Sequence, residues 1–74
     1  MSEWVDCKSR LPDSISPYLV SCREWNIFEQ RYNEREVRIL MYIPKYKMWN
    51  TKSPIKVEAW MPLPEPYEEK EVIN

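Results

Sequence analysis

The stretch REVRILMYIPKYKMW at residues 35–49 decides the fold, because it carries the clearest periodicity in the chain. Alternate positions form one wholly apolar row, which consists of Val37, Ile39, Met41 and Ile43. The other row begins charged at Arg38 and becomes apolar towards Tyr42. The pattern predicts a strand that is partly buried on both faces. Pro44 removes a backbone donor, so we expect a bulge or edge position there, with residues 45–49 extended beyond it.

Three other segments favour strands. Residues 55–61, IKVEAWM, repeat the alternation and place Val57 and Trp60 on opposite sides. Residues 17–25, PYLVSCREW, open with aromatic and β-branched residues typical of a buried strand, and residues 4–12 favour a short strand followed by a loop. The fold class expected is mainly β, an antiparallel sheet of three or four strands, with a small α+β fold as the alternative.

Residues 24–34, EWNIFEQRYNE, have two interpretations. Asn26 is placed to cap a two-turn helix on which Trp25, Phe28 and Tyr32 share a face, and we favour this short helix or helical turn. The competing interpretation is a long hairpin turned at residues 33–34, where Asn replaces the glycine of a tight turn. A second tight turn is expected at residues 50–51, before the last strand.

The two ends of the chain differ in composition and charge. Residues 62–66, PLPEP, favour a polyproline II segment that packs through its side chains. Residues 1–66 are expected to form one small domain, and the acidic residues 67–74 a frayed tail. A sheet this small, with open edges and no disulfide, is expected to form a homo-oligomer.

Glycine and histidine are both absent from the 74 residues. Their absence excludes the phosphate-binding glycine loops and the histidine-based catalytic and zinc sites. Cys7 and Cys22 have no imidazole to activate them, so we expect a protein that is not an enzyme and holds no metal or cofactor. The first residues lack a signal sequence and no segment is apolar enough to span a membrane, so a cytoplasmic protein with reduced thiols is expected.

Aromatic side chains alternate with basic ones through residues 23–49, a composition that suits stacking on bases and clasping of phosphates. For any single residue the alternative is a core aromatic beside a solvated charge. The candidate ligand-binding residues are Arg23, Trp25, Arg31, Tyr32, Arg35, Arg38, Tyr46, Lys47 and Trp49.

Two motifs at the ends of the chain resemble a known family. The opening WVDCKSRLP at residues 4–12 and the closing WMPLPEP at residues 60–66 look like the paired motifs of the domain of unknown function 551 family of phages and prophages. The family usually has His before the terminal Trp, where this chain has Ala59. The motif residues, which we interpret as structural, are Trp4, Leu11, Pro12, Trp60, Pro62, Leu63 and Pro64.

This interpretation predicts that Trp4 and Trp60 lie close together and that the Pro-Leu-Pro segment closes one end of the sheet. The alternative is a proline ligand for an aromatic groove on a host protein. The resemblance implies a phage source and an architecture rather than an activity.

The leading hypothesis for function is a small non-enzymatic phage-type binding protein in the cytoplasm of an infected or lysogenic bacterial host. It would interfere with a host process, such as defence against phage, by sequestering a small nucleotide or capping a host protein. One alternative is a nucleic-acid-binding accessory protein that uses the same surface on phosphates, and another is a purely structural or assembly module. Salt dependence discriminates the nucleic-acid alternative, because polyanion binding falls steeply as salt rises.

Overall fold

The computed structural model describes residues 3–69 of the chain. Its elements, in chain order, are β1 (Val5–Asp6), β2 (Ser16–Asn26), β3 (Arg31–Tyr32), β4 (Glu36–Ile43), β5 (Met48–Asn50) and β6 (Ile55–Pro62). All strand pairs are antiparallel, in the order β1-β6-β2-β4-β5, and β3 pairs with the far part of β2. The mainly β, antiparallel prediction is therefore confirmed, with six strands instead of three or four.

Within residues 3–69 the structure has no helix, so nothing there could cross a membrane as a long apolar helix. The described residues after Pro62 have no regular secondary structure, and the predicted polyproline conformation stays a prediction. Residues 67–69 of the predicted tail are exposed, and its other residues, 70–74, lie outside the described part.

Strand β2 is the centre of the sheet because it pairs with β4 on one side and β6 on the other. One side of these three strands forms the hydrophobic core. Its buried members are Tyr18, Val20, Cys22, Tyr42 and Trp60, with Val5, Cys7, Leu40, Trp49, Ile55 and Val57 packed around them. A core of this size is small even for a 74-residue chain.

A β-bulge in β6 sets which of its residues reach the core. Cys22 pairs with Val57 but Ser21 pairs with Ala59, so Glu58 is an extra residue on the β6 side. The bulge shifts the alternation by one position, which lets Val57 and Trp60 both face the core. The simple alternation predicted for residues 55–61, which placed these two side chains on opposite sides, is therefore wrong.

Strand β4 turns its mixed row towards the core and its wholly apolar row away from it. Tyr42 is 1% exposed, whereas Val37 and Ile39 are each 60% exposed. The prediction was partial burial on both faces, whereas Val37 and Ile39 in the apolar row are largely exposed. We call the side of the sheet opposite the core the outer face; its large apolar members are Leu19, Val37, Ile39, Met41, Met48 and Met61.

The helix predicted for residues 24–34 is wrong, because these residues form a hairpin between β2 and β3. Its turn lies at residues 27–30 instead of 33–34, and Gln30 takes the positive φ of 52°. The cross-strand pair of Trp25 and Tyr32 replaces the helical face that these two residues would have shared. The competing hairpin interpretation was therefore right in type and wrong in position.

Pro44 begins a tight turn that separates β4 from β5. The Tyr46 amide donates to the Ile43 carbonyl and Lys47 adopts a φ of 50°, so the chain reverses instead of continuing extended. Residues 51–54 are not a tight turn either. Strands β5 and β6 lie on opposite sides of β2 and β4 in the sheet, so this segment connects two strands that are not neighbours.

The two motif ends meet in the structure, although their indoles do not pack together. Val5 pairs with Trp60, which is buried and donates from Nε1 to the Arg10 carbonyl at 2.8 Å. Trp4 lies on the other side of β1 and is 42% exposed. Of the remaining motif residues, Pro12 is buried, Leu63 is half-buried, and Leu11, Pro62 and Pro64 are exposed.

Candidate functional site

The hairpin of β2 and β3 extends beyond the sheet as an arm, which we define as residues 23–33. Strand β4 leaves β2 at the pair of Cys22 and Glu36, and beyond Glu24 the pairing of β2 passes to β3. The arm contributes to the elongated shape of the chain, whose longest dimension is 61 Å. It is the part of the described chain that reaches furthest from the core along β2.

The tip of the arm exposes two large apolar side chains on a fixed turn. Phe28 is 95% exposed and Ile27 is 71% exposed. The Asn26 side-chain oxygen accepts hydrogen bonds from the amides of Phe28 and Glu29, both at 2.9 Å. This Asx-type turn fixes the chain reversal at the tip without a glycine.

The base of the arm is held by aromatic and polar contacts across the two strands. The rings of Trp25 and Tyr32 meet edge to face with centroids 5.1 Å apart, and Lys56 Nζ lies 5.9 Å from the Tyr32 ring. Arg23 Nε donates to the Asn33 carbonyl at 2.8 Å. These contacts order the arm without covering its tip.

The structure places the candidate ligand-binding residues in two separate regions. Arg23, Trp25, Arg31 and Tyr32 lie on the arm, whereas Tyr46, Lys47 and Trp49 lie in or next to the turn between β4 and β5. The two regions are about 30 Å apart along β2, at about 3.3 Å per residue. Residues 23–49 therefore do not form one continuous surface.

Trp49 is a core residue rather than part of an exposed surface. Its ring contacts Tyr42 at 4.7 Å and Tyr18 at 6.2 Å between centroids. Tyr46 is 64% exposed and carries the Lys45 ammonium over its ring at 5.6 Å. Of the aromatics predicted around the second turn, one is thus structural and one is available to a ligand.

Three of the candidate guanidinium groups are already paired with carboxylates. Arg38 donates to Glu24 at 2.7 Å and also to Glu36, which raises the pKa of this arginine. Arg35 Nε contacts a Glu58 carboxylate oxygen at 2.6 Å, and this hydrogen bond lowers the pKa of Glu58. A third pair joins Arg31 to Glu29 at 2.8 Å. A phosphate would have to displace these carboxylates.

A groove of about 580 Å³ lies beside the bulge of β6. Lys8, Arg35 and Lys56 line it against Asp6 and Glu58, and the exposed Trp4 forms part of its apolar wall. Its volume falls within the usual range of small-molecule sites, about 300–1,000 Å³. Of the residues predicted to bind a ligand, only Arg35 lines this groove.

Cys7 and Cys22 are both free thiols. Burial raises the pKa of each thiol, and the Asp6 carboxylate adds to the effect at Cys7. A raised pKa keeps a thiol protonated at neutral pH and lowers its nucleophilicity. Cys7 lines the groove but is therefore not an activated nucleophile there.

Sequence reasoning missed Ile27 and Phe28 as exposed features. The helical interpretation placed Phe28 on one face with Trp25 and Tyr32, and Phe28 is not among the candidate ligand-binding residues. The signal that could have found it is Asn26, since Asn side chains accept from the amides two and three residues later in turns as well as in helix caps.

The fold and these surfaces define a small all-antiparallel β-domain with a projecting arm. The chain belongs to the domain of unknown function 551 family, because the family model, described as a protein of unknown function (DUF551), matches residues 3–68. No curated protein and no solved structure matches the chain.

Proposed function

We propose that this protein is a small non-enzymatic phage-type binding protein that interferes with a host process by capping a host protein. The observation that carries the proposal is the tip of the arm, where Phe28 is 95% exposed on a turn fixed by Asn26. An exposed aromatic on an ordered support has the character of an interface hot spot.

The order of the arm favours binding because less conformational entropy is lost on association. The hydrogen bond that the Asn26 side-chain oxygen accepts, the one that Arg23 donates, and the Trp25–Tyr32 contact hold the arm in one shape before any partner arrives. Full burial of one Phe side chain contributes about 1.5–3 kcal/mol. Removing the Phe28 ring should therefore weaken binding by about 10- to 100-fold.

A protein partner fits the arm better than a polyanion does. The Arg31 guanidinium is paired with Glu29, and Arg23 donates to a backbone carbonyl, so neither presents a free fork to phosphate. The most exposed large apolar side chains at the tip are Phe28 and Ile27. Apolar anchors of this kind fill pockets on proteins.

A second candidate function, sequestration of a small nucleotide, is favoured by the groove beside β6. Its three cations exceed its two carboxylates, and Trp4 supplies an aromatic surface for a base. This function would use Lys8 and Lys56, whose ammonium groups form none of the ion pairs found among the described residues.

The capping proposal is tested by placing a photo-crosslinking amino acid at position 28 and expressing the chain in bacterial cells. We expect adducts with one discrete host protein, whose purified form then binds the wild-type chain and binds Phe28→Ser at least 10-fold more weakly. The same crosslinker at Tyr46, an exposed aromatic on the opposite turn, is the matched control.

Equal adducts at positions 28 and 46, or equal affinity of wild type and Phe28→Ser, would contradict the proposal. Adducts that consist of nucleic acid, and binding that falls steeply with salt, would support the nucleic-acid alternative instead.

A further inference from the structure

The outer face of the sheet is apolar and uncovered among the described residues. Val37 and Ile39 are each 60% exposed, Met48 is 45% exposed and Met41 is 39% exposed. Leu19 pairs with both Ile39 and Met61, and β5 carries Met48 beside β4, so these side chains form one continuous patch across four strands. The patch lies on the side of the sheet opposite the core and away from the arm tip.

Such a face is unusual for an antiparallel sheet exposed to water. Sheets of this kind normally place polar side chains on the face that is not packed against the core. Here the outward positions across the middle of the sheet carry no charge; they are Pro17, Leu19, Ser21, Val37, Ile39, Met41, Ile43, Met48, Asn50, Ala59 and Met61. A contiguous apolar patch of this extent marks a surface that another molecule covers.

We propose that a second copy of this chain covers the outer face, and that the protein is a homodimer in which two sheets pack face to face. The result is a β-sandwich whose second core lies between the copies, about 10 Å thick. The proposal does not depend on the arm or on its partner.

The first argument for a second copy is the missing layer. A stable domain packs at least two layers of secondary structure, and residues 3–69 supply one sheet whose core has five buried hydrophobic residues. The chain exposes 6595 Å², whereas a compact monomer of 9.1 kDa would expose about 4,900 Å², and the outer face contributes to this excess together with the arm. A partner that is always present, as a second copy is, stabilises the fold wherever the chain is made.

The second argument is self-complementarity. In a twofold dimer the same patch meets itself, so any charge at its centre would lie close to its own copy. The outward positions between Pro17 and Ser21 and between Val37 and Ile43 hold no charge, so no such repulsion arises. Arg35 and Glu58 line the groove, which meets the edge of this patch at Ser21 and Ala59, and the two charges form an ion pair with each other.

The third argument is size. The eight residues of β4 span about 26 Å and adjacent strands lie about 4.8 Å apart, which gives the outer face a flat footprint of about 400 Å². Because side chains project from the sheet, two copies would together bury about 1,000 Å², the size at which specific interfaces begin.

The test measures the mass of the full chain by sedimentation across a concentration series. We expect twice 9.1 kDa for the wild type. Ile39→Lys places an unpaired charge at the centre of the interface and should weaken dimerisation at least about 100-fold. Ile27→Lys introduces the same charge at an exposed apolar position on the arm and should leave the dimer intact.

A second measurement locates the interface. Mixed isotope labelling of the wild type should give intermolecular NOEs between Ile39 and Met41 methyl groups. Ile39→Thr, which keeps a β-branched side chain, is the variant to use if Ile39→Lys does not fold. A wild-type monomer, an Ile39→Lys or Ile39→Thr dimer as tight as wild type, NOEs confined to the β5 edge, or a different protein on the outer face would each overturn the proposal.

Discussion

Replacement of Trp60 tests the account of the core most directly. Trp60 is 6% exposed, meets the Tyr18 ring at 5.1 Å, and donates from Nε1 to the Arg10 carbonyl at 2.8 Å. A buried aromatic removes about 150–250 Å² from water, and Trp→Ala in a core costs about 3–5 kcal/mol. A chain this small has about 5 kcal/mol in total, so Trp60→Ala should be largely unfolded.

Trp60→Phe gives the quantitative form of the test. It keeps an aromatic ring against Tyr18 but removes the hydrogen bond to Arg10, at a cost of about 1–2 kcal/mol. For a domain of this size that lowers Tm by about 4–16 °C. The assay is thermal unfolding by circular dichroism at one fixed protein concentration, because a dimer makes Tm concentration-dependent.

Trp25→Phe is the matched control, since Trp25 is 38% exposed and its indole donates none of the side-chain hydrogen bonds found among residues 3–69. Its Tm should change by less than that of Trp60→Phe. If Trp60→Phe melts at the wild-type temperature, or if Trp60→Ala remains as stable as Trp25→Ala, then the terminal motif does not anchor the core and the structural interpretation of it is wrong.

Two further predictions concern the groove. The lowered pKa of Glu58 means that its pairing with Arg35 stabilises the fold above the ordinary carboxyl range and that this contribution is lost as pH falls through the lowered pKa. Glu58→Gln should therefore be less stable than wild type at neutral pH, with the difference vanishing in acid; a difference constant with pH in chemical denaturation would contradict this. If the groove binds a nucleotide, native mass spectrometry of protein purified from bacterial cells should show it retained by wild type and Lys47→Glu but lost from Lys56→Glu, and a bare wild-type chain would count against that function.

The strands that could be predicted from the sequence are those with a local signature. Val20 and Tyr42 belong to segments rich in β-branched and aromatic residues, and both segments form strands. Strand β3 has two residues and β5 has three, so their sequence patterns are too short to be recognised. These two strands form through their pairing with β2 and β4. The arm was missed because an Asn side chain accepts hydrogen bonds from nearby amides both at the start of a helix and in a turn. Asn26 does so in a turn, whereas the helix prediction used it as a cap.

The candidate site could be predicted only in part, because a local sequence pattern does not determine how distant segments are arranged in space. Alternation of aromatic and basic residues is a local pattern, whereas the site depends on which hairpins lie near each other. Trp25 and Tyr32 are brought together by one hairpin, but Trp49 belongs to another and enters the core. Lys8 reaches the groove from the turn after β1 and Lys56 from β6, so no local pattern connects them.

The choice of core side in β4 shows what periodicity cannot decide. A period of two establishes that Val37 and Ile39 share a face, but it does not say whether that face is covered. Within one chain, the covered face is the one on which the Trp60 indole lies. The bulge at Glu58 sets the alternation of β6, and the Arg10 carbonyl accepts a hydrogen bond from the indole on that face. The more apolar row of β4 is left on the outer face. An interface between two chains would explain why this apolar row of β4 is uncovered within one chain. The prediction of its burial and the proposed dimer therefore have the same physical cause, which is the apolar character of the row.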